Sequence, residues 1–267
     1  MENSTVHAVE IPEHGNKKTV LYSILAVLFA GALIWSGIAI EIKFFSVFKD
    51  LLKVLEFVKG FLTPSFSRLG LYLNACLETL SIALWGTFLA TIFAIPLGFL
   101  GASNMAPNPV IYHIARRIMD VFRAVNELVF ALIFVVAVGL GPFSGMMALA
   151  IHTCGVLGKL LSETIESIDE GQVEGVSALG THKLHVTVFG VVPQVLPNYL
   201  SYVLLRFESN VRSATVVGMV GGGGIGFYLW ETLRSFQDSQ AATILLLIVL
   251  MVVAIDFASK EIRREFI

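Results

Sequence analysis

The stretch Glu170-Gly-Gln-Val-Glu-Gly-Val-Ser-Ala-Leu-Gly180, followed by Pro193, lies between two long apolar runs. It decides the fold because the segments around it read as bilayer-spanning helices and it cannot be one. Asp169, Glu170, Glu174, His182, Lys183 and His185 crowd this region, and its apolar residues are scattered among glycines. It is a polar loop between spans, large enough for a soluble partner to push against.

Composition agrees. The 267 residues are 56% hydrophobic and only 14% charged, with a mean hydropathy of +0.80, whereas soluble domains carry about 25% charged residues. The net charge of −2 discriminates no partner. Cys76 and Cys154 fall in apolar runs without paired spacing, so they imply neither a disulfide framework nor a metal site. Each reads as a small buried hydrophobe.

Working outward, runs of about 20 apolar residues are long enough to cross a bilayer. The first occupies 19–40, carries no charge, and follows a polar tail, 1–18, whose Lys17 and Lys18 sit at its mouth. It is too long and starts too far in for a cleaved signal peptide. Residues 41–62 place Lys43, Lys49, Asp50, Lys53, Glu56 and Lys59 at three- and four-residue steps. That spacing suits a helix on the membrane surface or one packed on the protein itself. The reading therefore assigns 41–68 to an amphipathic extracytoplasmic segment and 69–258 to a core of five further spans. These are 74–101, a third reaching from Arg116-Arg117 to the turn at 139–142, 143–165, a fifth from Pro193 and Pro197 to the glycine run 221–224, and 241–257. The loop 166–192 interrupts them, and 259–267 closes the chain as a tail.

Six spans place both termini on one side. With the termini inside, Lys17, Lys18, Arg116, Arg117, Lys183, Lys260, Arg263 and Arg264 are all inside. Most of these lie close to span ends, where positive charge favours the cytoplasm, so the loop is expected there too.

Gly221-Gly-Gly-Gly-Ile-Gly226 fits G-x-G-x-x-G, but it follows a membrane span rather than a strand and lacks the acid about 20 residues on. Glycines there instead permit a tight turn or close helix packing. The chain has no phosphate loop and no serine in G-x-S-x-G, which argues against an ATPase or a serine hydrolase on this chain.

Charges at bilayer depth are expensive and seek partners. Arg123 and Glu127, and likewise Lys159 and Glu163, sit one turn apart and read as helix-face pairs. His152 reads as a hydrogen-bonded interior residue. In the fifth span, Arg206 stands roughly 14 Å beyond Pro197, near mid-membrane. It shares a face with Ser209, Asn210 and Ser213, while Glu208, Arg212 and Thr215 share another. Glu208 and Arg212 can neutralise each other. Arg206 has only neutral company on its own helix, so it either contacts an oxyanion, whose geometry its fork of donors matches, or pairs with an acid such as Glu127.

Glu174, Gly180 and Pro193 resemble the E-A-A-x-x-x-G…P signature of ABC-importer permeases, with Gly175 and Val176 standing where alanines are usual and Ala178 and Leu179 keeping the match. A closer resemblance covers about 120–258. Arg123-Ala-Val-Asn-Glu-Leu-Val-Phe-Ala-Leu-Ile-Phe134, Val138-Gly-Leu-Gly-Pro142, Ala150-Ile-His-Thr153, Leu205-Arg-Phe-Glu-Ser-Asn-Val-Arg212 and Val217-Gly-Met-Val-Gly-Gly-Gly-Gly-Ile-Gly226 look like phosphonate-transporter permeases, with Asn126 replacing an expected proline.

The resemblance implies an all-α integral membrane protein of about six transmembrane helices with the type I, methionine-importer-like permease fold, sitting in a bacterial cytoplasmic membrane. It also implies a homodimer, a cytoplasmic ATPase dimer that holds ATP and Mg, and an extracytoplasmic phosphonate-binding protein, with no cofactor on this chain and no nucleic acid. Coupling would fall to Glu170, Glu174, Gly175, Ala178, Leu179 and Gly180, and the translocation path to Arg206, Asn210, Arg212 and Ser213. Arg123, Glu127 and Glu208 would pair within the membrane. Phosphite, hypophosphite or phosphate is the alternative cargo.

Overall fold

The computed structural model describes residues 15–40, 55 and 58–266, with the side chains of 20–40, 55 and 58–264. The readings made for 1–14 and for most of 41–68 fall outside these residues.

The chain divides into two units, Met1–Glu56 and Phe57–Ile267. In the first, helix α1 (Gly15–Ala39) is apolar on every side, and its window Val20–Ala39 has a mean hydropathy of 2.0. A helix with no polar face has no preference for an aqueous side, which fits a span.

The second unit is built on α2 (Leu69–Leu100) and, in order, α3 (Pro109–Ala124), α4 (Glu127–Val138), α5 (Pro142–Glu166), α6 (Glu170–Ser177), α7 (Lys183–Val186), α8 (Val192–Val217), α9 (Ile225–Arg234) and α10 (Asp238–Phe266). The buried face of α2 carries Ala75, Thr79, Ala83, Gly86, Ala90, Ala94 and Gly98, mostly four residues apart. Small side chains at that spacing let helix backbones approach closely, the usual means of association where lipid removes the hydrophobic drive. The partner is α5, whose Leu149 and Leu161 lie over Gly86 and Gly98. Two apolar clusters result. One joins α2, α4, α5, α8, α9 and α10 around Tyr72, Leu149, Val211 and Ile244. The other joins α2, α5 and the start of α8 around Leu157, Ile165, Val191 and Val195. Cys76 and Cys154 are free and buried, as small hydrophobes.

Among the described residues five helices are long and apolar enough to span a membrane, or six if α3 and α4 count as one broken span. The expected third span is in fact bent by 88°. Val125 and Asn126 are extended, and Asn126 Oδ1 accepts from the Leu128 N–H at 2.9 Å, so the residue starts a new helix. Asparagine competes for backbone groups in this way. The 12-residue α4 extends only about 18 Å, too short to cross alone.

The fifth and sixth spans also differ from the sequence reading. Helix runs from Lys183 through a π-helical turn at Thr187–Val191 into α8, and a second π turn, Gly218–Gly222, ends it. A short α9 then precedes α10, which continues to Phe266, so the described part of the expected tail at 259–267 is helix.

Candidate functional site

The polar loop folds into α6. Asp169 caps it, its Oδ1 accepting from the Gly171 N–H at 2.9 Å. Val173 and Val176 turn inward over Gly190, where an added Cβ would lie 3.3 Å from Val173 Cα. The Asp169 N–H donates to Gln194 Oε1 at 3.0 Å, and Gln194 Nε2 donates to the Gly190 carbonyl at 2.7 Å. The base of α6 is thereby fastened to the first turn of α8. Glu170, Glu174, Gly175, Ala178, Leu179 and Gly180 are all exposed, Leu179 to 77%. Gly180 has φ +69° and open space around its Cα. Backbone conformation, not packing within this chain, is what asks for glycine there.

A neighbouring clamp was not foreseen. Glu166, at the end of α5, accepts from the Ser103 N–H and from Arg116 Nη2, both at 2.7 Å, while Asn104 Nδ2 donates to the Ile165 carbonyl. These groups are 50 to 63 residues apart in sequence, and no local spacing announces them.

On α8, Glu208 and Arg212 pair at 3.1 Å as expected. They belong to a larger group, because Arg212 also meets Asp256 at 3.0 Å and Glu208 meets Arg263 at 3.2 Å, both on α10. The two helices run antiparallel, so Arg206, two residues before Glu208, lies toward the charged end of α10, beyond its uncharged part 241–255.

Asn210, read as a pathway residue, is 4% exposed, accepts from Thr153 Oγ1 at 3.0 Å and donates to Thr87 Oγ1 at 2.8 Å. It ties α8 to α5 and α2. The expected Arg123–Glu127 pair does not form, since the break at 125–126 turns the two away from each other. Arg123 meets Asp120 at 3.0 Å instead. Glu127 accepts from Ser213 Oγ at 2.8 Å and stands 3.7 Å from His152 Nε2. Lys159 and Glu163 pair at 3.7 Å, as read. Arg206 is half-buried and makes neither a hydrogen bond nor an ion pair among the described residues, although the charge of Glu127 acts on it.

The glycine run is a turn, with positive φ at Gly221, Gly223 and Gly224. The two amides at its end are occupied. The Gly224 N–H donates to Glu78 Oε1 at 3.0 Å and the Ile225 N–H to Thr79 Oγ1 at 2.8 Å, so α2 caps the start of α9.

Five or six helices long and apolar enough to span, with an exposed helix fastened to one of them, are the arrangement of a multi-pass membrane protein. Residues 94–262 match the family described as binding-protein-dependent transport system inner membrane component. The chain belongs to that family, and it is the multi-pass permease component of an ABC-type transport system, not its ATPase. It is similar to the phosphite transport system permease protein PtxC of Stutzerimonas stutzeri, 39% identical over 203 residues that cover 76% of this chain and 74% of that one. It is also similar to the putative cryptic phosphonate transport system permease protein PhnE2 of Escherichia coli (strain K12), 57% identical over 122 residues, 46% of this chain and 100% of that one. Among solved structures, the MetNI methionine ABC transporter in an inward-facing form matches with a TM-score of 0.66 at 20% identity, covering 76% of this chain and 99% of that one. The fold is the type I, methionine-importer-like permease fold.

Proposed function

We propose that this chain is the permease of an ATP-driven importer of phosphonates, acting as a homodimer with a cytoplasmic ATPase dimer and an extracytoplasmic binding protein. ATP and Mg would be held by the ATPase. The termini and α6 would face the cytoplasm of a bacterium, in keeping with Lys and Arg near the span ends. The cargo reading is supported by the relatives named for phosphonate and phosphite transport, and phosphite, hypophosphite or phosphate in the same importer type is the second reading.

The observation that carries the mechanical part is the bond from Asp169 to Gln194 beneath an exposed α6. Closure of the ATPase dimer would push on Glu170, Glu174, Gly175, Ala178, Leu179 and Gly180, and the push would enter α8 directly. That helix carries Arg206, Arg212 and Ser213 toward the path. Conduction requires weak binding, and Glu208 and Glu127 beside the two arginines restrain their hold on an anion.

Gly180→Trp tests the coupling. A non-glycine residue in the left-handed region costs roughly 1–2 kcal/mol, too little to prevent insertion, and the site is open within this chain. Uptake by the assembled transporter is expected to fall more than tenfold while the protein stays in the membrane. Normal uptake and normal stimulation of ATP hydrolysis would remove the coupling role. A growth screen on phosphonates, phosphite and phosphate as sole phosphorus sources decides the cargo.

A further inference from the structure

Three side chains on three helices converge beside the start of α4, with Arg206 near enough for the charge of Glu127 to act on it. Glu127 Oε1 accepts from Ser213 Oγ on α8, and Glu127 Oε2 lies 3.7 Å from His152 Nε2 on α5. His152 Nδ1 is 3.0 Å from the Val125 carbonyl oxygen. A carbonyl can only accept, so Nδ1 carries a hydrogen. At 3.7 Å the Nε2–Oε2 contact is too long for a hydrogen bond, so Glu127 Oε2 accepts none from the described residues. Arg206 stands two turns before Ser213 on the same face of α8, with five donors and no acceptor among the described residues. All four side chains are partly exposed. The neighbouring charges are already engaged, Asp120 with Arg123 on α3 and Glu208 and Arg212 with α10.

We infer that this constellation is an oxyanion subsite selecting a tetrahedral anion that carries a P–OH hydrogen. The Arg206 guanidinium takes the anionic oxygens, and Glu127, with His152 Nε2 beside it, accepts from the P–OH. The inference rests on α8 lining the translocation path and deepens that reading by naming the protonation form of the cargo. A carboxylate beside the binding arginine repels an anion with no hydrogen to offer, because acceptor meets acceptor. An anion of equal charge with a P–OH converts the same contact into a charge-assisted bond. Sites built to satisfy a buried polar group reject analogues that leave it unpaired.

Methylphosphonate and methanesulfonate separate these cases, since both are methyl-bearing tetrahedral monoanions below the second ionisation of the phosphonate and only one has the hydrogen. Saturation-transfer NMR on the purified permease–ATPase complex in nanodiscs detects weak binding of either. Wild type is expected to favour methylphosphonate about tenfold, the effect of one hydrogen bond to a charged group. In Glu127→Gln the preference falls to within about twofold, because an amide can donate as well as accept. In Arg206→Gln both signals vanish. Where Glu127→Gln fails to co-purify with the ATPase, His152→Asn replaces it and should weaken the preference in the same direction.

An unchanged preference in these variants overturns the P–OH selection but leaves the path reading standing, provided Arg206→Gln has lost its signal. A full signal in Arg206→Gln overturns the path reading itself. Equal saturation of both probes by wild type, or none of either, overturns the subsite.

Discussion

Replacing Asn210 with leucine strips Thr153 Oγ1 of its acceptor and Thr87 Oγ1 of its donor, all at buried positions. An unsatisfied buried group costs about 1–3 kcal/mol, so Asn210→Leu should lower the thermal unfolding temperature of the detergent-solubilised protein. Arg206→Gln should leave that temperature within error while impairing uptake, because Arg206 bonds nothing among the described residues. An equal loss of stability in both variants would place Arg206 in the structural scaffold. The helical wheel put these two residues on one face, and it had no means of separating them. A wheel knows only its own helix, and the threonines that claim Asn210 lie 57 and 123 residues away. The Glu208–Arg212 pair was legible because both members share one turn. Their partners Asp256 and Arg263 were not.

At the scale of elements, the break between α3 and α4 shows what a one-residue departure from an expected motif means. Asn126 has φ −64° and ψ 145°, and Val125 before it has φ −87° and ψ 125°. Proline fixes φ near −65° and forces its predecessor into the extended region, so proline and asparagine specify the same bend by different chemistry. Asn126→Pro should therefore preserve insertion and uptake, with stability shifted by no more than about 1 kcal/mol for the lost side-chain cap. Asn126→Leu supplies neither the cap nor the fixed φ, and should lower the unfolding temperature more than proline does. Apolar length read the spans at 69–100, 142–166 and 238–264 well, since twenty or more apolar residues have few other uses. It could not see the bend, because a broken helix and a straight one have the same composition.

Across the whole molecule, the bond between Asp169 and Gln194 is a direct tie from the exposed loop to α8. Gln194→Leu removes both the acceptor for Asp169 and the donor to Gly190. The transporter should still assemble with its ATPase and hydrolyse ATP, yet import several-fold less per ATP, since loss of one hydrogen-bonded contact weakens a joint without removing it. A normal ratio of uptake to hydrolysis in proteoliposomes would place the mechanical joint elsewhere, with the clamp of Arg116 on Glu166 as the next candidate. The charge group shared by α8 and α10 bears on a different quantity. Glu208, Arg212, Asp256 and Arg263 are two acids and two bases, so the group has no net charge. A lone arginine carried across the bilayer would couple to the membrane potential by about 2.3 kcal/mol per 100 mV. A neutral group moved together couples by almost nothing, so these four charges add almost no voltage dependence to a joint motion of α8 and α10.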